Sequence, residues 1–235
     1  FKTIGVVLLI LAIFSCKREK AVLTPEKIKL ITGHYENILS VSGDQSRFPR
    51  TISDDGSLVR TDIYDWTSGF FAGNLWYIYE LTGDDKWKKE AVKWTEALDT
   101  IQYWSGNHDV GFMINCSYGN GLRLAHREEY KKVIVQTAES LCKRYNPNTK
   151  SIESWDYRKA WNDTTEWFFP VIIDNMMNLE FLMWAFRVTG DSLFYKICVS
   201  HSDVTIKNHF RPDYSSYHVV SYDTITGKVE TKQTH

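Results

Sequence analysis

Apolar residues recur at three- and four-residue spacing along most of the chain, which is the spacing of one face of an α-helix. The pattern predicts seven helices, over residues 27–41, 69–81, 85–101, 113–125, 128–145, 174–188 and 192–210. Two short connections read Thr-Gly-Asp. Gly83 and Gly190 are predicted to end one helix, and Asp84 and Asp191 to cap the next. The chain is therefore predicted to be a series of helical hairpins.

The helical pattern contains an internal repeat. Residues 75–84, Leu-Trp-Tyr-Ile-Tyr-Glu-Leu-Thr-Gly-Asp, resemble residues 182–191, Leu-Met-Trp-Ala-Phe-Arg-Val-Thr-Gly-Asp, and residues 122–128 form a weaker copy between them. Repeated helical hairpins indicate a toroid or a solenoid. Residues 151–169 have a mixed, Trp-rich pattern that predicts a loop, and β-branched alternation over residues 214–229 predicts a small hairpin.

Composition narrows the class of protein. A chain of 235 residues with 43% hydrophobic and 24% charged residues can bury a sizeable core in one domain. The net charge of −1 argues against a nucleic-acid binder, which would carry a basic excess. The 9 Trp, 13 Tyr and 12 Phe favour core packing by composition alone, although so many Trp also suit carbohydrate stacking. Beyond residue 16, an odd set of three widely spaced cysteines argues against a disulfide framework or a zinc site.

The first residues are predicted to be a targeting segment. Residues 4–14 form an apolar run behind Lys2, too short for a comfortable transmembrane helix and long enough for a signal-peptide core. Ser15-Cys16 then ends a sequence that resembles a bacterial lipobox. We expect a signal peptide over residues 1–16, a linker over 17–25, a folded domain over 26–235, and an exported lipoprotein, periplasmic or anchored in the outer membrane. A plain secretory signal or a buried N-terminal helix is the alternative.

Two aspartates lie in apolar surroundings. Asp109 stands in His-Asp-Val-Gly-Phe, and Asp174 follows Pro-Val-Ile-Ile. Burial disfavours the ionised form, so such carboxyls tend to have a raised pKa and to act as proton donors. Each aspartate could instead cap a helix, Asp109 near Phe112 and Asp174 at the helix through Leu179. The residues alone leave both interpretations open.

Three segments carry a family resemblance. Residues 65–76 (Asp-Trp-Thr-Ser-Gly-Phe-Phe-Ala-Gly-Asn-Leu-Trp), 108–112 and 172–179 (Ile-Ile-Asp-Asn-Met-Met-Asn-Leu), in this order and spacing, resemble the unsaturated glucuronyl hydrolases, glycoside hydrolase family 88. The resemblance implies an all-α fold, the (α/α)6 barrel. About seven of its twelve helices are predicted here, so we expect residues 26–235 to be the N-terminal part of that domain.

The resemblance also implies a reaction. The family acts on oligosaccharides left by polysaccharide lyases, whose terminal uronic acid has a C4–C5 double bond. One aspartate protonates C4 and assists water attack at C5, and the resulting hemiketal opens and releases the next sugar. By the motif match, Asp174 is the acid/base and Asp109 is the second catalytic carboxylate, which holds sugar hydroxyls and tunes the pKa of Asp174. The resemblance implies no metal and no organic cofactor.

The resemblance suggests substrate-binding residues as well. Trp66 and Trp155 match stacking tryptophans, although either could be a packing residue. His108 adjoins Asp109 and is expected to contact substrate, although it could instead hold the loop. His235 begins a segment that resembles one around a substrate-contacting histidine. The substrate's carboxylate and any sulfates need cationic partners. The loop candidates near the motifs are Arg50, Arg60 and Arg158, and the sequence does not choose among them.

Other functions remain open at this stage. A related unsaturated rhamnogalacturonyl hydrolase would share the barrel and the hydration chemistry but act on pectin fragments. A non-catalytic glycan-binding lipoprotein would use the same aromatic cavity without turnover. A helical-repeat scaffold for protein partners is a third alternative.

Overall fold

The computed structural model describes residues 23–160 and 164–234. Within these ranges the helices are α1 (Pro25–Ser42), α2 (Thr67–Thr82), α3 (Asp85–Glu96), α4 (Val110–Ile114), α5 (Asn120–Ala125), α6 (Tyr130–Cys142), α7 (Met177–Thr189) and α8 (Ser192–His209). One π-helical turn, Asn115–Gly119, joins α4 and α5 into a continuous helix. The predicted signal peptide, the lipobox Cys16, most of the predicted linker and His235 lie outside the described residues.

The helices pack in two layers. Helices α2 and α3, the α4–α5 helix and α6, and α7 and α8 form three successive hairpins. The first helices of the hairpins contact one another side by side, because α4 touches both α2 and α7. The second helices, α3, α6 and α8, lie behind them. This is the arrangement that an (α/α)6 barrel requires of consecutive hairpins.

The helix ends follow the sequence signals. The side chains of Asp84 and Asp191 accept hydrogen bonds from the backbone N–H of Lys86 at 2.9 Å and of Leu193 at 2.8 Å. Gly83 and Gly190 take the left-handed conformation, with φ of 65° and 74°, which a glycine adopts without steric cost. Both predicted Thr-Gly-Asp turns therefore have the expected geometry.

Aromatic residues fill the core between the two layers. Trp76, Trp87 and Trp94 are almost completely buried, and the Trp76 indole N–H donates to Thr95 Oγ1 at 2.9 Å. Trp94 packs edge-on against Phe71, with ring centroids 4.9 Å apart. The packing interpretation of the Trp content is thus correct for these three residues.

Short antiparallel strands connect the helices. They are β1 (Phe48–Ile52), β2 (Leu58–Thr61), β3 (Tyr145–Asn146), β4 (Ser151–Ile152), β5 (Arg158–Lys159), β6 (Glu166–Trp167), β7 (Pro170–Ile172), β8 (Val219–Tyr222) and β9 (Val229–Gln233). Strands β1 and β2 form a hairpin, and β7, β8 and β9 form a three-stranded sheet. The predicted C-terminal hairpin is present, with its second strand beginning at Val229. The predicted loop over 151–169 is wrong in detail, because it contains the two-residue strands β4, β5 and β6.

Several helix boundaries differ from the prediction, and two of the differences place a 3-10 turn next to the helix. The helix predicted over 85–101 ends at Glu96 and is followed by a 3-10 turn, Asp99–Tyr103. The helix predicted from residue 174 begins with a 3-10 turn, Ile173–Met176, before α7. Across residues 23–160 and 164–234, no helix combines the length and the apolarity needed to cross a membrane.

We expect Gly69→Ala to lower the free energy of unfolding by about 1–3 kcal/mol. Gly69 lies where α2 meets α4, and a Cβ there would come within 2.4 Å of Met113 Cα and 2.6 Å of its carbonyl oxygen, both backbone atoms. Urea denaturation of the complete protein measures the change.

Gly33→Ala is the matched control. Gly33 lies inside α1 and a Cβ there would meet nothing within 4 Å. The higher helix propensity of alanine should make this variant more stable by up to about 1 kcal/mol. Equal effects of the two substitutions would contradict the close approach of α2 and α4.

Candidate active site

The three motif segments converge on one cleft. Trp66 immediately precedes α2, Asp109 immediately precedes α4, and Asp174 lies in the 3-10 turn before α7. Because these three helices lie side by side, their N-terminal ends meet at one edge of the layer. The cleft has a volume of about 470 Å³. It is lined by Trp66, Phe70, Asn107, His108, Asp109, Phe112, Trp155, Arg158, Ile172, Asp174 and Met177.

His108 lies between the two aspartates. Its Nε2 atom is 3.1 Å from Asp109 Oδ1 and 3.7 Å from Asp174 Oδ1. The imidazole is only 1% exposed, whereas the side chains of Asp109 and Asp174 are 17% and 43% exposed. Asp174 therefore faces the open cleft, and Asp109 lies deeper beside the histidine.

Burial shifts the pKa of both carboxyls upward. Loss of hydration raises the pKa of Asp109 to about 7, with the charges of Asp174 and Asp65 adding to the shift and Arg144 opposing it. Burial also raises the pKa of Asp174 to about 6, against the lowering effect of a backbone hydrogen bond. Both groups can therefore carry a proton close to neutral pH, which an ordinary aspartate cannot do.

His108 is neutral at the same pH. Burial lowers its pKa to about 3, and the positive charge of Arg144 acts in the same direction. A neutral imidazole cannot act as a counter-ion, so it does not hold the two carboxyls in the ionised form. Its Nε2 atom faces both carboxyls without adding a charge.

The capping interpretation of the aspartates is wrong. Asp109 occupies the cap position of α4 but makes no capping hydrogen bond with its side chain. The local turn is made by Asn107, whose Oδ1 accepts from the Asp109 N–H at 2.9 Å. Asp174 lies inside its turn, and the described residues provide no hydrogen-bond partner for its buried Oδ1. Both carboxyls are left available to the cleft.

Aromatic rings form the walls of the cleft. Trp66 is 45% exposed and contacts Phe70 edge-on, at 5.7 Å between ring centroids. Phe70 stacks on Phe112 at 5.5 Å, and Phe112 in turn contacts the His108 ring at 6.1 Å. The Trp155 and His108 ring centroids are 6.4 Å apart. The cleft thus places flat apolar surfaces beside the carboxyl pair, which suits the faces of sugar rings.

A buried amide network holds His108. Asn178 Nδ2 donates to the His108 carbonyl at 3.0 Å and to Asn175 Oδ1 at 2.9 Å, and lies 3.4 Å from His108 Nδ1. Asn175 donates in turn to the Ile152 carbonyl at 2.8 Å. Gly111 permits this contact, because a Cβ there would come within 2.3 Å of Asn178 Oδ1. The motif residues Gly111, Asn175 and Asn178 therefore support the site from behind.

Ser154 ties the segment that carries Trp155 to both neighbouring segments. Its carbonyl accepts from the His108 N–H at 2.9 Å, and its N–H donates to the Pro170 carbonyl at 2.8 Å. Its hydroxyl accepts from the Ile172 N–H at 2.9 Å. A backbone bridge between Asn107 and Trp155 continues this pairing. The aromatic wall is consequently fixed relative to both aspartates.

Arg144 clamps the same region and had no signal in the sequence. Its guanidinium is 6% exposed and donates to the carbonyls of Ser105 at 2.7 Å and Glu153 at 2.8 Å. It also pairs with the carboxylates of Glu153 at 3.2 Å and Asp156 at 3.1 Å. These partners precede His108 on one side and flank Trp155 on the other. Arg144 thus joins the two segments through one buried cation.

The structure brings together five of the six predicted site residues. Trp66, His108, Asp109, Trp155 and Asp174 all line the cleft, whereas His235 lies outside the described residues. Their catalytic or binding roles stay predictions. Phe70, Phe112, Ile172 and Met177 also line the cleft. All four fall within the motif segments, which was the signal that could have identified them. Among the described residues, no group of three or more His, Cys, Asp and Glu side chains forms a candidate metal site.

Known proteins resemble this chain over most of its length. It is 44% identical over 207 residues to an unsaturated glucuronyl hydrolase of Formosa agariphila, a match that covers 87% of this chain and 50% of that protein. It is 30% identical over 193 residues to an unsaturated glucuronyl hydrolase of Bacillus sp. strain GL1, covering 80% of this chain and 50% of that protein. No protein-family profile matches the chain.

A solved structure agrees with the fold. A crystal structure described as an unsaturated glucuronyl hydrolase specific for heparin superposes with a TM-score of 0.82 at 42% identity, covering 89% of this chain and 54% of that one. The fold and the cleft together define the (α/α)6-barrel class, and this chain contains part of such a barrel. It belongs to the unsaturated glucuronyl hydrolase family. The chain spans about half the length of the curated relatives it matches.

The predicted family and fold class are therefore confirmed. These similarities do not favour the rhamnogalacturonyl hydrolase, the glycan-binding lipoprotein or the scaffold alternative. The predicted division into signal peptide, linker and domain, and the exported, lipid-anchored location, stay predictions from the sequence.

We expect Arg144→Met to lower the free energy of unfolding by about 2–4 kcal/mol, because it leaves the partly buried Ser105 and Glu153 carbonyls and the Glu153 carboxyl without their donor. Thermal and urea unfolding of the complete protein measure the change. Trp fluorescence should also change, since the segment that carries Trp155 loses its clamp.

Arg123→Met serves as the control. Arg123 pairs with Glu80 through two hydrogen bonds at 2.6 and 3.0 Å, but both side chains are largely exposed. An exposed pair contributes about 0–1 kcal/mol. A cost for Arg144→Met no larger than that for Arg123→Met would contradict a clamping role.

Proposed function

We propose that the complete protein hydrolyses unsaturated uronic-acid-terminated oligosaccharides produced by polysaccharide lyases. The reaction is acid-catalysed hydration of the C4–C5 double bond, which releases the terminal, formerly unsaturated uronic acid as an open-chain keto acid. The observation that carries this proposal is the pair of aspartates with raised pKa on either side of buried His108, in a cleft walled by aromatic rings. The similarity to unsaturated glucuronyl hydrolases supports the same chemistry.

Asp174 is the acid and then the base in this proposal. In its protonated form it donates a proton to C4, and the ring oxygen shares the positive charge that develops at C5. The ionised carboxylate next accepts a proton from the water that attacks C5, which restores the acid form. The exposed position of Asp174 supports this role, because its side chain is 43% exposed whereas that of Asp109 is 17% exposed.

The steps that follow hydration need no additional catalytic residue. The hemiketal at C5 opens to a ketone, and the former ring oxygen stays on C1 as the hydroxyl of a hemiacetal. Collapse of that hemiacetal to an aldehyde releases the next sugar. The overall reaction consumes one water and leaves Asp174 protonated for the next cycle.

Asp109 acts as the partner carboxyl. It lies beside His108 Nε2 at 3.1 Å, and its raised pKa keeps a proton at the bottom of the cleft near neutrality. A protonated Asp109 repels an anionic substrate less than a carboxylate would and can donate a hydrogen bond to a sugar hydroxyl. The two groups titrate as a coupled pair, so the observed pKa values belong to the pair.

The aromatic walls bind the sugar rings. Trp66 and Trp155 both line the cleft with the carboxyl pair, and His108 borders it with an imidazole that is only 1% exposed. We propose a glycosaminoglycan-derived oligosaccharide as substrate. The solved relative at 42% identity is described as specific for heparin, so heparin-type disaccharides are the first to test.

We expect Asp174→Asn to reduce kcat by a factor of about 10² to 10⁴, because an amide cannot donate the proton that C4 needs. The measurement is the loss of ultraviolet absorbance of the C4–C5 double bond when the complete protein meets lyase-generated disaccharides. Substrate binding should persist, since asparagine has nearly the same shape as aspartate.

Asp203→Asn is the isosteric control, because Asp203 is exposed on the outer helix α8. It should leave the rate unchanged within about twofold, as surface substitutions usually do. Full activity of Asp174→Asn would contradict its assignment as the acid. Absence of turnover by the parent protein on every uronic disaccharide would contradict the proposed function itself.

The rate should depend on pH through the two raised carboxyl pKa values. Catalysis needs the protonated acid, and the protonated fraction falls as pH rises through the pKa. With pKa values of about 6 for Asp174 and about 7 for Asp109, kcat/KM should fall roughly tenfold per pH unit above about pH 7. A decline that is already complete near pH 5, as for a carboxyl with the ordinary pKa of about 3.9, would contradict a buried acid.

A further inference from the structure

The structure distinguishes among Arg50, Arg60 and Arg158, the three arginines that the sequence offered as cationic partners for the substrate. Arg60 donates to the Ser42 carbonyl behind the β1–β2 hairpin and does not line the cleft. Arg50 lies 5.7 Å from the Trp66 ring centroid, but its Nε donates to Asp65 Oδ2 at 3.1 Å. Its charge is therefore neutralised within the protein. Arg158 lines the cleft, and within residues 23–160 and 164–234 it has no carboxylate at ion-pair distance.

Arg158 is held over an aromatic surface. Its guanidinium carbon lies 5.4 Å from the centroid of Trp155, and Trp155 packs at 6.2 Å against buried Trp167. Arg158 pairs with Trp167 across strands β5 and β6, so the backbone that carries the arginine is fixed to the ring below. A guanidinium above a ring face keeps its in-plane N–H groups free to donate to an anion.

The charges around the cleft show why such a cation matters. Arg50 and Asp65 compensate each other, and His108 is neutral because burial lowers its pKa. Asp109 and Asp174 keep their protons up to about neutral pH, because burial raises both pKa values. An anionic sugar that enters this cleft needs a positive partner, and none of these groups supplies one. Among the described lining residues, Arg158 is the one cation that is not already paired.

We propose that Arg158 is the specificity-determining residue that binds an oxyanion of the substrate, a carboxylate or a sulfate, on the sugar beside Trp155. This inference rests on the proposed function for the nature of the substrate. Carboxylate and sulfate both accept two parallel hydrogen bonds from a guanidinium. The two sources differ in where they occur, since every uronic acid carries the carboxylate and only some products carry a sulfate.

The test measures binding without turnover. Calorimetry on the complete protein carrying Asp174→Asn gives Kd for an unsulfated and a sulfated unsaturated disaccharide, each with and without Arg158→Gln. We expect Arg158→Gln to raise Kd by about 10- to 100-fold, as loss of charge-assisted hydrogen bonds does. Arg158→Lys should fall between the two, because lysine keeps the charge but loses the paired donors.

The two substrates identify the anion. An equal rise in Kd for both disaccharides assigns the carboxylate, and a rise confined to the sulfated disaccharide assigns the sulfate. Lys159→Gln is the matched control, because it removes the same charge from the same strand at an exposed residue that does not line the cleft. Its Kd values should stay within about twofold of the parent values, as for surface substitutions elsewhere.

Several results would overturn the inference. These are unchanged Kd values in Arg158→Gln, an effect no larger than that of Lys159→Gln, or no binding of either disaccharide to the Asp174→Asn protein. Circular dichroism of each variant verifies folding, and the graded effect of Arg158→Lys distinguishes lost recognition from lost structure. A different outcome would contradict the proposed function alone: the parent protein binds these disaccharides but turns over none of them.

Discussion

A carboxyl group that is shielded from water keeps its proton to a higher pH, and the cleft of this chain depends on that constraint. Asp109 and Asp174 gain their raised pKa values mainly from burial. The same burial lowers the pKa of His108, so the imidazole between them is uncharged. Had His108 been a cation, it would have held both aspartates in the ionised form. The neutral histidine thus lets two carboxyls stand close together while one or both keep a proton.

The packing of the inner helices positions the two aspartates. Each aspartate immediately precedes or begins an inner helix, and the side-by-side packing of α2, α4 and α7 brings the helix starts to one edge. Close packing is possible because Gly69 and Gly111 leave room for Met113 and Asn178. Small residues in the motifs therefore set the spacing between helices, and that spacing sets the distance between the carboxyls.

Helical periodicity was enough to predict the hairpins, because each helix buries one face and its turns carry Gly and Asp signals. The convergence of Asp109 and Asp174 did not follow from periodicity and came from the family resemblance. Strand β7 pairs with β8, nearly fifty residues further along the chain. A three-residue apolar run gives no indication of a pairing partner so distant in sequence. Short two-residue strands such as β5 leave no alternation to detect.

Arg144 shows what a sequence cannot reveal about a site. At the end of α6 it reads as an ordinary surface cation, yet it is buried and bonded to Ser105, Glu153 and Asp156. A buried cation with no partner would lower the pKa of Asp109 strongly and leave it ionised. The positive charge of Arg144 lowers the pKa of Asp109, but this effect is smaller than the effect of burial. The cation that anchors the Trp155 segment therefore does not outweigh the burial that keeps the proton on Asp109.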